Sequence, residues 1–70
     1  MKNSYETIRD LREDNDYTQS KIAEILGISQ QSYSRYETGK SEMPMVYIKK
    51  LCKFYDVSAD YILGLSKEKR

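Results

Sequence analysis

The stretch TQSKIAEILGISQQSYSRYETGK, Thr18 to Lys40, decides how this chain folds, because it carries two helix starts and two helix stops in close succession. Thr18 and Ser29 each follow an apolar residue and precede another by three intervening residues: Tyr17-Thr18-QSK-Ile22 and Ile28-Ser29-QQS-Tyr33. At such a position the hydroxyl accepts from an early helical N–H, and the apolar pair clamps the angle at which the chain enters the helix. Gly27 and Gly39 end the two runs, since glycine enters the left-handed conformation without a steric penalty. The spacing predicts helices over Gln19 to Leu26 and Gln30 to Thr38, joined only by Gly27, Ile28 and Ser29. So short a connection suits a steep crossing better than an antiparallel pair, which makes the unit a helix-turn-helix.

The same start signal recurs at Val57-Ser58-ADY-Ile62, with Gly64 as the stop, and Pro44 suits the first turn of one more helix. Further helices are therefore expected from Ser4 to Asp14, Pro44 to Tyr55 and Ala59 to Leu63, with no competing strand. Tyr5, Ile8 and Leu11, then Ile22, Ile25 and Leu26, then Ile48, Leu51, Cys52 and Tyr55 recur at helical spacings and define faces that share one core. The expected fold is all-α, a compact five-helix bundle over residues 1–65 with a basic tail over 66–70.

Seventy residues allow one small domain, and 39% hydrophobic with 33% charged residues is a globular balance. The opening MKNSYETIRD lacks the apolar centre of a signal peptide, and no run of about 18 apolar residues occurs, so a cytoplasmic protein is expected. One cysteine, Cys52, forms no internal disulfide, and it reads as a small buried apolar residue. With no histidine, a structural metal site lacks its usual ligands; no metal and no cofactor are expected. Nor does the chain offer a Gly-rich phosphate loop, so it is not expected to be an enzyme.

The net charge is only +1, but its distribution is uneven. Residues 17–53 hold six basic against three acidic side chains, whereas residues 1–16 hold three basic against five acidic. The middle of the chain is its basic part, as a polyanion-facing surface requires.

Turning about 100° per residue from Gln30 places Ser34, Thr38, Gln31 and Arg35 within an arc of about 140°, while Tyr33 and Tyr36 fall on the other side. One face of this helix is polar throughout, and the other packs inward. Ordinary solvated faces favour Glu and Lys; this one offers amides, hydroxyls and a guanidinium that donate and accept together. Glutamine matches the N6 and N7 edge of adenine, arginine the N7 and O6 edge of guanine, and a B-form major groove admits one helix.

At the level of these residues the Thr18–Lys40 stretch resembles the helix-turn-helix of the lambdoid phage repressor and Cro family, the XRE family of bacterial regulators. The resemblance extends over about Ile8 to Gly64. It includes the Thr-Gln opening of the first helix of the pair, Ala23 and Gly27, the Gln-Gln-Ser opening of the second, Glu37 followed by Gly39-Lys40, and the closing Val57-Ser58 and Asp60-Tyr61-Ile62-Leu63. It implies a bacterial or phage-encoded, lambda repressor-like DNA-binding domain that acts as a transcriptional repressor, a homodimer on the double-stranded DNA of a palindromic operator. It further implies that Gln30, Gln31, Ser34 and Arg35 read bases. Thr18, Gln19, Ser29, Ser32 and Lys40 would meet the DNA backbone, and an Arg12–Glu37 pair would tie the first helix to the end of the third. Tyr47 and Tyr61 are placed in a dimer interface, with Tyr61 exposed in the single chain. The loop Ser41 to Met45 departs from the family by offering Glu42 and two methionines where relatives carry basic side chains. The alternative is a protein-interaction module on the same fold, such as an antitoxin or adaptor, which the near-neutral charge and the many tyrosines also suit.

Overall fold

A computed structural model describes residues 3–70. Five helices follow one another: α1 Ser4–Asp14, α2 Gln19–Leu26, α3 Gln30–Glu37, α4 Met45–Tyr55 and α5 Ala59–Ile62. Among the described residues there is no strand, and no helix is long and apolar enough to cross a membrane.

The three expected caps are formed. Thr18 Oγ1 accepts from the Lys21 N–H at 3.1 Å, Ser29 Oγ from Ser32 N–H at 3.1 Å and Ser58 Oγ from Tyr61 N–H at 3.0 Å. Each staple buries its inner member completely: Ile22, Tyr33 and Ile62.

The helix ends share a single device. After each helix one residue turns left-handed, and the next N–H reaches back five residues to a carbonyl that the helix leaves free. These bonds run from Tyr17 to Arg12, Ile28 to Ala23, Lys40 to Arg35, Val57 to Cys52 and Leu65 to Asp60. Glycine fills the left-handed position after α2, α3 and α5, as expected, but aspartate fills it after α1 and α4, at φ 59° for Asp16 and 58° for Asp56. Aspartate is among the few residues with a side chain that enter this region routinely.

Three boundaries differ from expectation by one residue. Thr38 caps α3 instead of extending it, and its hydroxyl donates to the Ser34 carbonyl at 3.0 Å. Pro44 precedes α4 with an extended ψ of 148°, and its carbonyl still accepts from Tyr47 and Ile48. Leu63 lies just beyond α5 as its cap.

The core joins Ile8 and Leu11 of α1, Ile22, Ala23 and Leu26 of α2, Tyr33 of α3, Ile48 and Leu51 of α4, Val57, and Ile62 of α5. Ile25, Tyr36, Tyr55 and Tyr61 pack on its margin, so Tyr61 is half-buried rather than exposed. Cys52 also lies at this margin instead of fully inside, because Ile48 and Leu51 take the buried stripe of α4 and Cys52 falls to one side of it; burial still pushes its thiol pKa up. Tyr17, Phe54 and Tyr55 form a ring cluster, with centroids 5.2 Å apart for Tyr17–Phe54 and 5.0 Å for Phe54–Tyr55. The final residues fold back on the turn before α5, where the Ser58 N–H donates to the Lys69 carbonyl and Arg70 pairs with Asp56.

Candidate nucleic-acid interface

α2 and α3 make the most extensive helix pairing of the fold, and three turn residues set their crossing. Gly27 closes α2 at φ 74°, Ile28 both caps that end and clamps the next helix, and Ser29 opens α3. With Tyr33 and Glu37 drawn into the interior, the opposite side of α3 is left in solvent. Gln30, Gln31, Ser34, Arg35, Thr38 and Lys40 line one open depression of about 590 Å³. All four expected base readers thus share one surface with Lys40; Ser34 is half-buried there and the other three are exposed. The Lys40 N–H bond to the Arg35 carbonyl, at 3.0 Å, holds Lys40 beside the end of α3.

The remaining expected contacts stand at helix starts. Thr18, Ser29 and Ser32 are exposed, and Gln19 is half-buried. Ser29 accepts from the Ser32 N–H and donates to Ser32 Oγ at 2.9 Å, which leaves the Ser32 hydroxyl hydrogen available. Thr18 uses an oxygen lone pair as a cap and keeps its own hydrogen.

Beneath this surface lies a polar anchor. Arg12 donates to Glu37 through Nε at 2.7 Å and Nη2 at 3.1 Å, and through Nη1 to the Tyr17 carbonyl at 2.9 Å. Glu37 is 2% exposed and Arg12 15%, so solvent scarcely screens the pair. Gln19 Nε2 donates to Glu37 Oε1 at 3.2 Å, which brings the start of α2 into the same cluster. Burial alone would raise the Glu37 pKa, but hydrogen bonding and the Arg12 charge outweigh it and hold the carboxyl below its ordinary value. Hydrogen bonding to Glu37 raises the Arg12 guanidinium in turn. The Tyr33 phenol faces this carboxylate without closing a well-directed hydrogen bond, and burial first, then the nearby negative charge, push its pKa far up. α1, α2 and α3 are therefore fastened at one point by groups that are all charged or dipolar.

Besides the Gln19–Glu37 bond, two further contacts escaped the sequence reading. Ser20 Oγ donates to Gln30 Oε1 at 2.5 Å, and Arg35 Nε reaches Ser41 Oγ at 3.4 Å. Nothing in local periodicity marks Ser20, because its partner lies ten positions away across the turn.

A short-turn pair of helices with a cleared polar face on the second is the architecture of a helix-turn-helix domain. The chain belongs to the helix-turn-helix family, whose model matches residues 8–62. It is 39% identical over 61 residues to the uncharacterised HTH-type transcriptional regulator YobD of Bacillus subtilis strain 168, covering 87% of this chain and 54% of that protein. To the antitoxin PezA of Streptococcus pneumoniae serotype 4 it is 42% identical over 60 residues, covering 86% of this chain and 38% of that one. This chain therefore spans about half the length of the first of these relatives and less of the second. The P22 c2 repressor protein, solved in complex with a synthetic operator, superposes with a TM-score of 0.83 at 24% identity, over 94% of this chain and all of that one. At that identity the superposition establishes the lambda repressor-like fold.

Proposed function

We propose that this chain is a sequence-specific, double-stranded-DNA-binding transcriptional regulator that lays α3 in the major groove of operator half-sites and represses by occupying them. The observation that carries this reading is the single open surface formed by Gln30, Gln31, Ser34, Arg35, Thr38 and Lys40 on a helix whose other side is locked inward. Membership of a family of regulators, which is not a class of enzyme, and similarity to an HTH-type regulator support it.

In this reading Gln31 and Arg35 address base edges along the groove, Gln30 the first base pair of the half-site, and Ser34 a neighbouring edge. Lys40 supplies charge to a phosphate beyond the helix. Gln19 gives one amide hydrogen to Glu37 and keeps the other for a phosphate at the start of α2, where free N–H groups also attract anions. The hydroxyl hydrogens of Thr18 and Ser32, and the Ser29 turn, border the same strand. Tyr47 and Tyr61, both half-buried, leave part of each ring for a second copy.

Selection on random duplexes tests this directly. The expected result is one motif with two inverted half-sites; no preferred sequence at moderate salt would overturn the reading. Arg35→Ala is expected to cost about 1 to 3 kcal/mol at one base pair, whereas Lys40→Ala weakens all sequences alike and lowers the salt slope by about 1. A uniform loss from Arg35→Ala would remove it from the base readers.

Similarity to an antitoxin favours a second reading, in which the main surface binds another protein. That reading expects no measurable DNA affinity in the wild type and a partner retained by variants of the α3 face.

A further inference from the structure

Two glutamines open helices on the reading side, and each has its amide fixed by a different neighbour. Glu37 is a carboxylate and only accepts, so Gln19 must turn its Nε2 inward. For Gln30 the tether is Ser20, whose hydroxyl donates to Oε1 at 2.5 Å. A carboxamide has one accepting end and one donating end, so holding Oε1 against α2 sends Nε2 the other way, toward the depression that Gln30 lines. Gln31, the next residue, is exposed and lines the same depression.

We propose that Ser20 is a specificity-determining residue, which never touches a base but sets Gln30 donor-outward, so that the base Gln30 contacts is favoured when it presents an acceptor to Nε2. This rests on the DNA-reading assignment above and names the preference at one position of it. In the major groove, purine N7, guanine O6 and thymine O4 accept, while cytosine presents only its N4 donor. The second lone pair of Gln30 Oε1 remains free, so adenine, which offers N7 and N6–H together, is the base best served. Cytosine on the contacted strand is the base least served, because it offers Nε2 no acceptor. Without the tether the amide can turn over and present its oxygen foremost, which narrows the disadvantage of cytosine.

The experiment compares wild type, Ser20→Ala and Ser20→Thr by selection on random duplexes, with side-chain amide relaxation of Gln30 and Gln31 measured in the free protein. Ser20 is exposed in a helix and alanine is a good helix former, so the variant is expected to keep its melting temperature. Ser20→Ala is expected to flatten the preference at one base pair of each half-site by about three- to tenfold, the value of one hydrogen bond. Other positions and the salt slope stay unchanged, because no charge is removed. Ser20→Thr, which keeps the hydroxyl, restores the preference. In the free wild type the Gln30 amide is more ordered than that of Gln31, and the difference disappears in Ser20→Ala. An equal loss of affinity for every sequence would make Ser20 a phosphate contact and overturn the proposal; so would an unaltered motif, or a Gln30 amide as mobile as that of Gln31. A wild type that selects no sequence sinks the regulator reading along with this one, whereas a wild-type motif untouched by Ser20→Ala sinks only the role of Ser20.

Discussion

Gly27 and Gly39 have nearly the same backbone, at φ 74° and 78°, yet they do not have the same surroundings. A Cβ at Gly27 meets nothing within 4 Å, while one at Gly39 would stand 3.0 Å from Cε1 of Tyr5. Gly27→Ala is expected to cost only the left-handed backbone penalty, about 1 kcal/mol, and Gly39→Ala to exceed it by a further ~1 kcal/mol as the Tyr5 ring is displaced. Urea denaturation of both variants checks the order; equal losses would mean that the ring moves aside freely. Glu37 offers a test in pH. Its carboxyl titrates below the ordinary value in the folded protein, so its stabilisation is complete above about pH 4.3 and is lost as the pH falls through the lower folded value. Wild-type stability is expected to decline on acidification below that point, and the decline is expected to be shallower in Glu37→Gln. Glu37→Ala, which strands a largely covered Arg12, should cost about 3 kcal/mol. An acid limb identical in Glu37→Gln and wild type would remove Glu37 as its source.

At the scale of elements, one three-residue turn is used three times: Asp16-Tyr17-Thr18, Gly27-Ile28-Ser29 and Asp56-Val57-Ser58. In each, the left-handed residue stops one helix, the apolar residue clamps the next, and the hydroxyl starts it. Ser29→Ala is expected to destabilise the fold by about 1 kcal/mol, through loss of the bond to the Ser32 N–H, as read by thermal unfolding. The starts of these helices were legible in the sequence because a cap and its staple are local, within five residues. The ends of α1 and α4 fall where expected, at Asp14 and Tyr55, but the left-handed residue beyond each was not legible, because Asp16 and Asp56 carry no obligation to be left-handed, whereas a glycine invites it. Pro44 sits just outside α4 for a related reason: proline suits the first helical turn or the residue before it, and sequence alone does not choose. The outward face of α3 was legible from helical rotation alone. The tethers of Gln19 and Gln30 were not, since each joins side chains brought together only after α2 and α3 pack.

Taken whole, the molecule measures 29 × 22 × 21 Å, and the proposed pairing on an operator requires two copies to hold their α3 helices ~34 Å apart, one DNA turn. Sedimentation with duplexes carrying one or two half-sites is expected to give one and two copies bound, respectively; a single copy on the double site would rule out the paired arrangement. The architecture also divides length tolerance unevenly along the chain. Because stop, clamp and start occupy consecutive residues in the three repeated turns, none of them has slack. A residue inserted at Ile28 advances the following helix by about 100° and swings Tyr33 out while driving Arg35 inward, so the chain loses its core and its reading side together. Between Lys40 and Pro44, by contrast, the chain crosses from α3 to α4 without that shared punctuation. Evolution and engineering alike are left that one joint in which to lengthen the bundle while keeping its frame.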